Sequence, residues 1–217
     1  MNREVIINAL FNRLIAPPLV YDFTADTTTG DVTLANVSDT SGLTVGMPVI
    51  GDGLPADAII ATVAPSVTIS LPAIADRSAS AMTQGFQTAA RRMADPSVEQ
   101  DMPALYLVEI NEVHPFRGSN SAVLIELNCE VWIFTRVGAD QNAIPAATLN
   151  MLIDGIERAL YPTPQGFRQN LGVNGVLYCR IEGEITKDPG HNGQIAGAIV
   201  PLKIAVGSSE DNFVIGS

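Results

Sequence analysis

Glu182 and Glu184, two residues apart in Arg180-Ile181-Glu182-Gly183-Glu184-Ile185, are the best-placed pair for chemistry in this chain. On a β-strand that spacing puts both carboxylates on one face, with Cα atoms roughly 6.5–7 Å apart. Carboxylates at such a separation can serve glycoside hydrolysis. The same face would also carry Arg180, and a neighbouring strand offers Glu126, Glu130 and Arg136. A solvated or subunit-contact face crossed by ion pairs is therefore the better reading. A glycosidase also needs an aromatic-lined cleft, and aromatic residues make up only 6% of the chain.

Other chemistries lack their parts. The two histidines, His114 and His191, stand far apart, one before Pro115 and one in a stretch rich in turn formers. Neither can be set beside a hydroxyl or thiol together with a third, orienting group, so both read as surface loop residues. Cys129 and Cys179 are too few for a metal knuckle and lie in alternating apolar segments, the pattern of two buried thiols. No Gly-x4-Gly-Lys-Ser/Thr and no strand-borne Gly-x-Gly-x-x-Gly is present, and Gly51-Asp52-Gly53 reads as a hairpin corner. The expectation is a protein that is not an enzyme, with no catalytic residues, no cofactor and no metal.

The elements that hold these residues follow from periodicity. Ser121 to Val137 alternates, with Val123, Ile125, Leu127, Cys129, Val131 and Ile133 on one face. Glu126, Asn128, Glu130, Trp132, Phe134 and Arg136 share the other. Trp132 and Phe134 break the polarity of that face, which marks either a protein–protein contact or a patch covered by the same chain. Two more strands close the chain. In the first, Leu177, Cys179, Ile181 and Ile185 oppose Arg180, Glu182 and Glu184; in the second, Ala196, Ala198, Val200, Leu202, Ile204 and Val206 form the apolar face. Ala104 to Val113 is a further strand, and Gly85 to Met93 a weaker one. Helices are expected at 3–16, with Asn2 as cap and Val5, Ile6, Ala9, Leu10 and Leu14 as its stripe. A second is expected from Pro145, with Leu149, Leu152, Ile153, Ile156 and Leu160 inward.

Residues 24–85 differ from everything around them. The stretch holds six Asp and one Arg, with no Glu, Lys, Cys, Trp, Tyr or Phe. Short β-branched runs at Asp31–Leu34, Gly42–Ile50, Ala58–Val63 and Val67–Leu71, punctuated by Gly and Pro, read as a small sandwich or barrel. The fold class is therefore α+β: a mostly antiparallel sheet packed with two helices over residues 1–23 and 86–217, carrying an inserted all-β domain at 24–85.

Composition excludes whole classes. Of the 217 residues 47% are hydrophobic, enough for a packed core rather than global disorder. No apolar run reaches the ~20 residues of a membrane span, and the start lacks the apolar stretch and cleavage site of a secretory signal. A net charge of −11, from 12 Lys+Arg against 23 Asp+Glu, disfavours sequence-specific nucleic-acid binding. The longest basic run is Arg91-Arg92.

Several stretches are familiar together. They are Met1-Asn2-Arg3-Glu4 opening a helix, Phe86-Gln87-Thr88-Ala89-Ala90-Arg91-Arg92 before a polar loop, and Pro103-Ala104-Leu105-Tyr106-Leu107-Val108-Glu109. Glu130-Val131-Trp132-Ile133-Phe134-Thr135-Arg136 and Leu149-Asn150-Met151-Leu152-Ile153-Asp154-Gly155-Ile156 follow. Last comes Arg180-Ile181-Glu182-Gly183-Glu184-Ile185-Thr186-Lys187-Asp188-Pro189-Gly190. In order and layout they resemble the tail terminator (tail completion) proteins of long-tailed bacteriophages, over residues 1–16 and about 86–206.

The resemblance implies a structural virion protein, assembled in the bacterial host cytoplasm. It would form a six-fold ring on the last ring of tail tube protein, stop tube growth, and meet the head–tail connector or stopper protein. Genomic DNA would pass through it without sequence-specific binding. The insert departs from the compact family pattern and resembles small β modules that decorate phage virion proteins, which suggests the outside of the ring. Trp132, Phe134 and Arg136 are then candidates for a subunit interface, and Arg91 and Arg92 for charged contacts to a neighbouring ring. Glu126, Glu130, Glu182 and Glu184 are candidates for an acidic lumen or interface. The alternatives are another neck or head-completion protein and, less favoured, a carboxylate-dependent glycoside hydrolase.

Overall fold

The computed structural model describes residues 2–93, 102–115, 124–136, 145–161, 169–188, 190 and 195–207. His191 and the ends of the 121–137 run lie outside them. The chain starts with α1 (Arg3–Leu14), where Asn2 Oδ1 accepts the Glu4 N–H at 3.1 Å, the capping bond its position predicted. Ile6, Ile7, Leu10 and Leu14 are buried, whereas Val5, expected on the inner stripe, is 50% exposed. The correction has a physical cause: at about 100° per residue Val5 stands opposite Leu14, whereas Ile7 shares the side of Leu10 and Leu14 and goes inward.

The chain then forms β1 (Tyr21–Thr27), β2 (Val49–Gly51), β3 (Ile60–Thr62), β4 (Thr68–Ile69) and β5 (Arg77–Gln84). β1, β5 and β2 make an antiparallel sheet in that order, and β3–β4 is a separate hairpin. The β1–β5 ladder runs from Thr27 opposite Arg77 to Tyr21 opposite Gln84, so the two ends of the segment are zipped together. Phe23, Leu34, Leu43, Val49, Leu54, Ile60, Val67, Ile69 and Met82 belong to one buried cluster. The strand expected at Asp31–Leu34 reduces to isolated bridges at Thr33 and Ala35. Of the Gly42–Ile50 run only the end is strand, and Met47 within it belongs to the other buried cluster of the chain.

That second core sits under β6 (Thr88–Ala90), β7 (Ala104–Val113), β8 (Leu124–Arg136), β9 (Val176–Ile181), β10 (Thr186–Asp188) and β11 (Ile195–Gly207). The order is β10-β11-β8-β7-β6, with β9 also on the β10 edge of β11. All pairs are antiparallel except β6–β7. β8 and β11 pair along their full length, Leu124 opposite Gly207 to Arg136 opposite Ile195. Both alternate as their sequences require: Ile125, Leu127, Cys129, Val131 and Ile133, and Ala196 to Val206 on even positions, are buried. α2 (Pro145–Leu160) lays Leu149, Leu152, Ile153, Ile156 and Leu160 on that face beside α1. The fold is α+β, with 44% strand and two helices among the described residues.

A dense joint ties the 21–84 segment to the helices. Gln84 is fully buried. Its Oε1 accepts the Thr44 N–H at 2.6 Å, and its Nε2 donates to the carbonyls of Gly42 at 3.2 Å and Pro18 at 3.3 Å. Gly85 follows at φ +111, where a Cβ would lie 2.3 Å from the Leu19 carbonyl oxygen, so only glycine fits. On α2, Gly155 leaves the notch that Leu19 fills.

Candidate functional site

The face of the main sheet opposite the helices carries nearly all the residues singled out from sequence. Along β8 it presents Glu126, Asn128, Glu130, Trp132, Phe134 and Arg136, each half-buried. The strand register adds Ala104, Tyr106 and Val108 from β7 and Gly197, Ile199, Pro201 and Lys203 from β11. The face divides into an apolar half and a polar half.

The apolar half is built on aromatic rings. Phe134 lies 6.1 Å from Tyr106 and 6.4 Å from Trp132, centroid to centroid, at tilted angles suited to aromatic pairs. Gly197 opposite Phe134 has no side chain, and a Cβ there would come within 3.2 Å of the ring. Trp132 Nε1 donates to Glu130 Oε2 at 2.8 Å, so Glu130 serves as the polar anchor of the tryptophan. Arg136 ends the row opposite Ile195.

The polar half is an ion-pair chain across three strands. Lys203 Nζ lies 3.3 Å from Glu126 Oε2 and 2.5 Å from Glu182 Oε1, and Glu182 also takes Arg180 at 2.5 Å. Arg180 in turn stacks over Tyr178, 4.4 Å from its ring centroid. Hydrogen bonds first from Lys203 and then from Arg180 hold the Glu182 carboxyl below its ordinary range. That is the wrong direction for a group meant to donate a proton at neutral pH. Two carboxylates and two cations balance, so Glu126 and Glu182 lie in a face crossed by ion pairs. Lys203, which the sequence pattern did not single out, completes this chain; its position between inward Leu202 and Ile204 was the available signal.

Glu184 does not join Glu182 on a strand. β9 stops at Ile181 and β10 starts at Thr186, leaving four residues opposite only Val200 and Pro201. The cause is Pro201. Its carbonyl accepts the Glu182 N–H at 3.1 Å on this edge, so its missing N–H faces the same edge and the ladder cannot continue. The chain bulges, and Gly183 at φ +133 sits against the proline ring, where a Cβ would be 2.9 Å from Pro201 Cγ. Leu177, expected inward, is 37% exposed because a second irregularity between Ala205 and Val206 turns Val176 in instead.

The arginine pair separates. Arg91 bonds Glu4 and, at 2.8 Å, Asn8 on α1, and it reaches Glu109 on β7 at 2.7 Å. It is a clasp between helix and sheet within its own chain, its charge already engaged by two carboxylates. Arg92 beside it is exposed. Arg91→Met is expected to free the start of α1 and lower Tm by a few degrees, measured by thermal melting; Arg92→Met should leave Tm unchanged.

Both cysteines are buried on the helix side, and desolvation pushes the Cys129 thiol up to about 12 and the Cys179 thiol up as well. They are core residues in the state least suited to nucleophilic attack. His114 Nε2 meets Glu112 Oε1 at 2.6 Å, on the carboxylate that holds Arg3, so its ring nitrogen is engaged at the surface by a side chain of its own chain. A solvent-open depression of about 810 Å³ lies between the end of α1 and α2, and its charged walls, Arg13, Asp154, Glu157 and Arg158, balance in sign. No group of three or more potential metal ligands occurs among the described residues, and no helix among them is long and apolar enough to cross a membrane. No protein-family model matches the chain, and no curated protein matches it.

Proposed function

We propose that this chain is a ring-forming structural protein at the head-proximal end of a phage tail, a tail terminator that caps the tube and joins it to the head connector. The observation that carries the reading is the outer face of the main sheet, where clustered aromatic rings lie beside a charge-balanced polar half. Half-buried Trp132 and Phe134, packed on the buried Tyr106 ring and next to largely paired charges, are the makings of a subunit contact. A ring needs two different, complementary patches on each copy, set around a rotation axis. The sheet edges are poor candidates for these: the β9–β10 edge bulges at 182–185, and β7 bulges between Glu109 and Asn111 where it pairs with β8. The face around Trp132 and Phe134 is thus the first patch. The order of sequence stretches that resembles tail terminators, together with a helix-backed antiparallel sheet, supports the family reading, and the six-fold symmetry is what that resemblance implies.

Electron microscopy of phage lacking this protein tests the assignment. Overlong tail tubes are expected; normal-length tails beside leaking heads would favour another neck protein instead. For the hydrolase alternative, a chain with Glu182→Gln and Glu184→Gln should behave like the natural one in a glycan-hydrolysis assay. Turnover that disappears in the double variant would overturn the structural reading.

A further inference from the structure

We propose that the segment 24–83 is acid-labile, coming undone below about pH 4 while the main sheet and its helices still stand. Its acidic composition has a structural use: five aspartates act as acceptors that pin its turns and strand ends. Asp26 takes the Ala79 N–H and Asn36 Nδ2, both at 2.6 Å, tying β1 to β5 and to the loop after β1. Asp76 takes the N–H and hydroxyl of Thr29 at 2.6 and 2.9 Å, across 47 residues of sequence. Asp52 takes both arms of Arg77. Asp31 holds Thr33 N at 2.9 Å, and Asp39 holds Ser41 N at 2.8 Å. Protonation makes a carboxyl a weaker acceptor everywhere, and at Asp26, Asp39 and Asp52, where both oxygens already accept, it must also place a hydrogen where a donor points.

The charged and titratable groups facing these carboxylates are Arg77, beside Asp52 and Asp76, and the Tyr21 hydroxyl, which reaches Asp39. Asp22 on β1 accepts from Thr83. All five aspartates are held below their ordinary range. The chief cause is the N–H of Ala79 at Asp26, of Thr33 at Asp31 and of Thr29 at Asp76, Tyr21 at Asp39, and Arg77 at Asp52. Groups depressed on folding stabilise above their unfolded value of about 3.9, and that contribution is lost as pH falls through the folded values.

The main domain also loses carboxylate pairs in acid, at Glu4, Glu112 and Glu182. Its cohesion rests on 27 buried residues in one cluster, however, against a cluster of 11, Phe23 and ten residues of the acidic segment, so the smaller core depends more on its turns. Gln84, which anchors the root, carries no charge and stays bonded, so loss begins at the far turns.

Peptide-resolved hydrogen exchange on the full chain, labelled from pH 7 to pH 3 with times scaled to the intrinsic rate, tests this. Peptides covering 24–83 should lose protection at a higher pH than those covering β8 and β11. Loss of both at one midpoint would overturn the proposal. A chain with Asp26→Asn and Asp76→Asn, which cannot titrate at those sites, should show weaker protection of 24–83 at pH 7 and a flatter pH response there. An unchanged pH response in that variant would equally overturn it, and the natural chain's titration decides the matter if the variant's segment does not fold.

Discussion

Replacing Gln84 with alanine is expected to lower the melting temperature by roughly 5–15 °C and to release residues 24–83 from their fixed seat on α2. The side chain has no exposure to solvent and makes three hydrogen bonds, to Thr44, Gly42 and Pro18. Truncation leaves the Thr44 N–H and the Gly42 and Pro18 carbonyls, all part-buried, without this partner. Because water can reach them, each falls at the low end of the about 1–3 kcal/mol cost of an unsatisfied group, and a domain of this size moves about 2–4 °C per kcal/mol. Pro18 lies on the way into β1, Gly42 and Thr44 in the loop before Met47, and Gln84 itself at the exit of the segment, so the loss falls at one joint. Thr83→Ala is the control: its hydroxyl bonds Asp22 in an exposed setting, and it should shift the melt by no more than a degree or two. A Gln84→Ala chain that melts like the natural one would mean the joint is held by Leu19, Met47 and Gly155 packing alone.

The second large effect concerns assembly. Trp132→Glu is expected to weaken self-association by about 30-fold or more, since an aromatic at the centre of a contact contributes about 2 kcal/mol or above. The substitution places a carboxylate beside Glu130 and against Phe134, so it adds repulsion as well as removing area. Sedimentation at graded concentrations measures it, and unchanged circular dichroism shows that the sheet survives. Equal association of the two proteins would move the contact away from this face.

The parts legible in the sequence were those governed by local periodicity. The alternation of β8 and β11 and the α2 stripe each appear as expected because one face of each is packed and the other is not. The parts that were not legible depend on groups far apart in the chain. Arg91 looks like half of an exposed basic pair until Glu4, Asn8 and Glu109 are brought around it. β1 and β5, rich in Asp, Thr, Ser and Ala, carry little β signal of their own and are strands because they pair with each other. Gln84 reads as an ordinary polar strand end, and nothing near it in sequence announces three buried partners. The separation of Glu182 from Glu184, by contrast, has a cause visible in the residues themselves. Pro201 stands in the middle of the β11 alternation, and a proline there requires an irregular neighbour on the strand it would otherwise pair with.

Self-association at the end of a polymer is the central claim, and the native mass of the purified chain, alone and mixed with tail tubes, tests it most directly. A closed ring of fixed copy number is predicted, either free in solution or formed on one end of the tubes. A chain that stays monomeric at micromolar concentration and leaves the tube ends bare would contradict it.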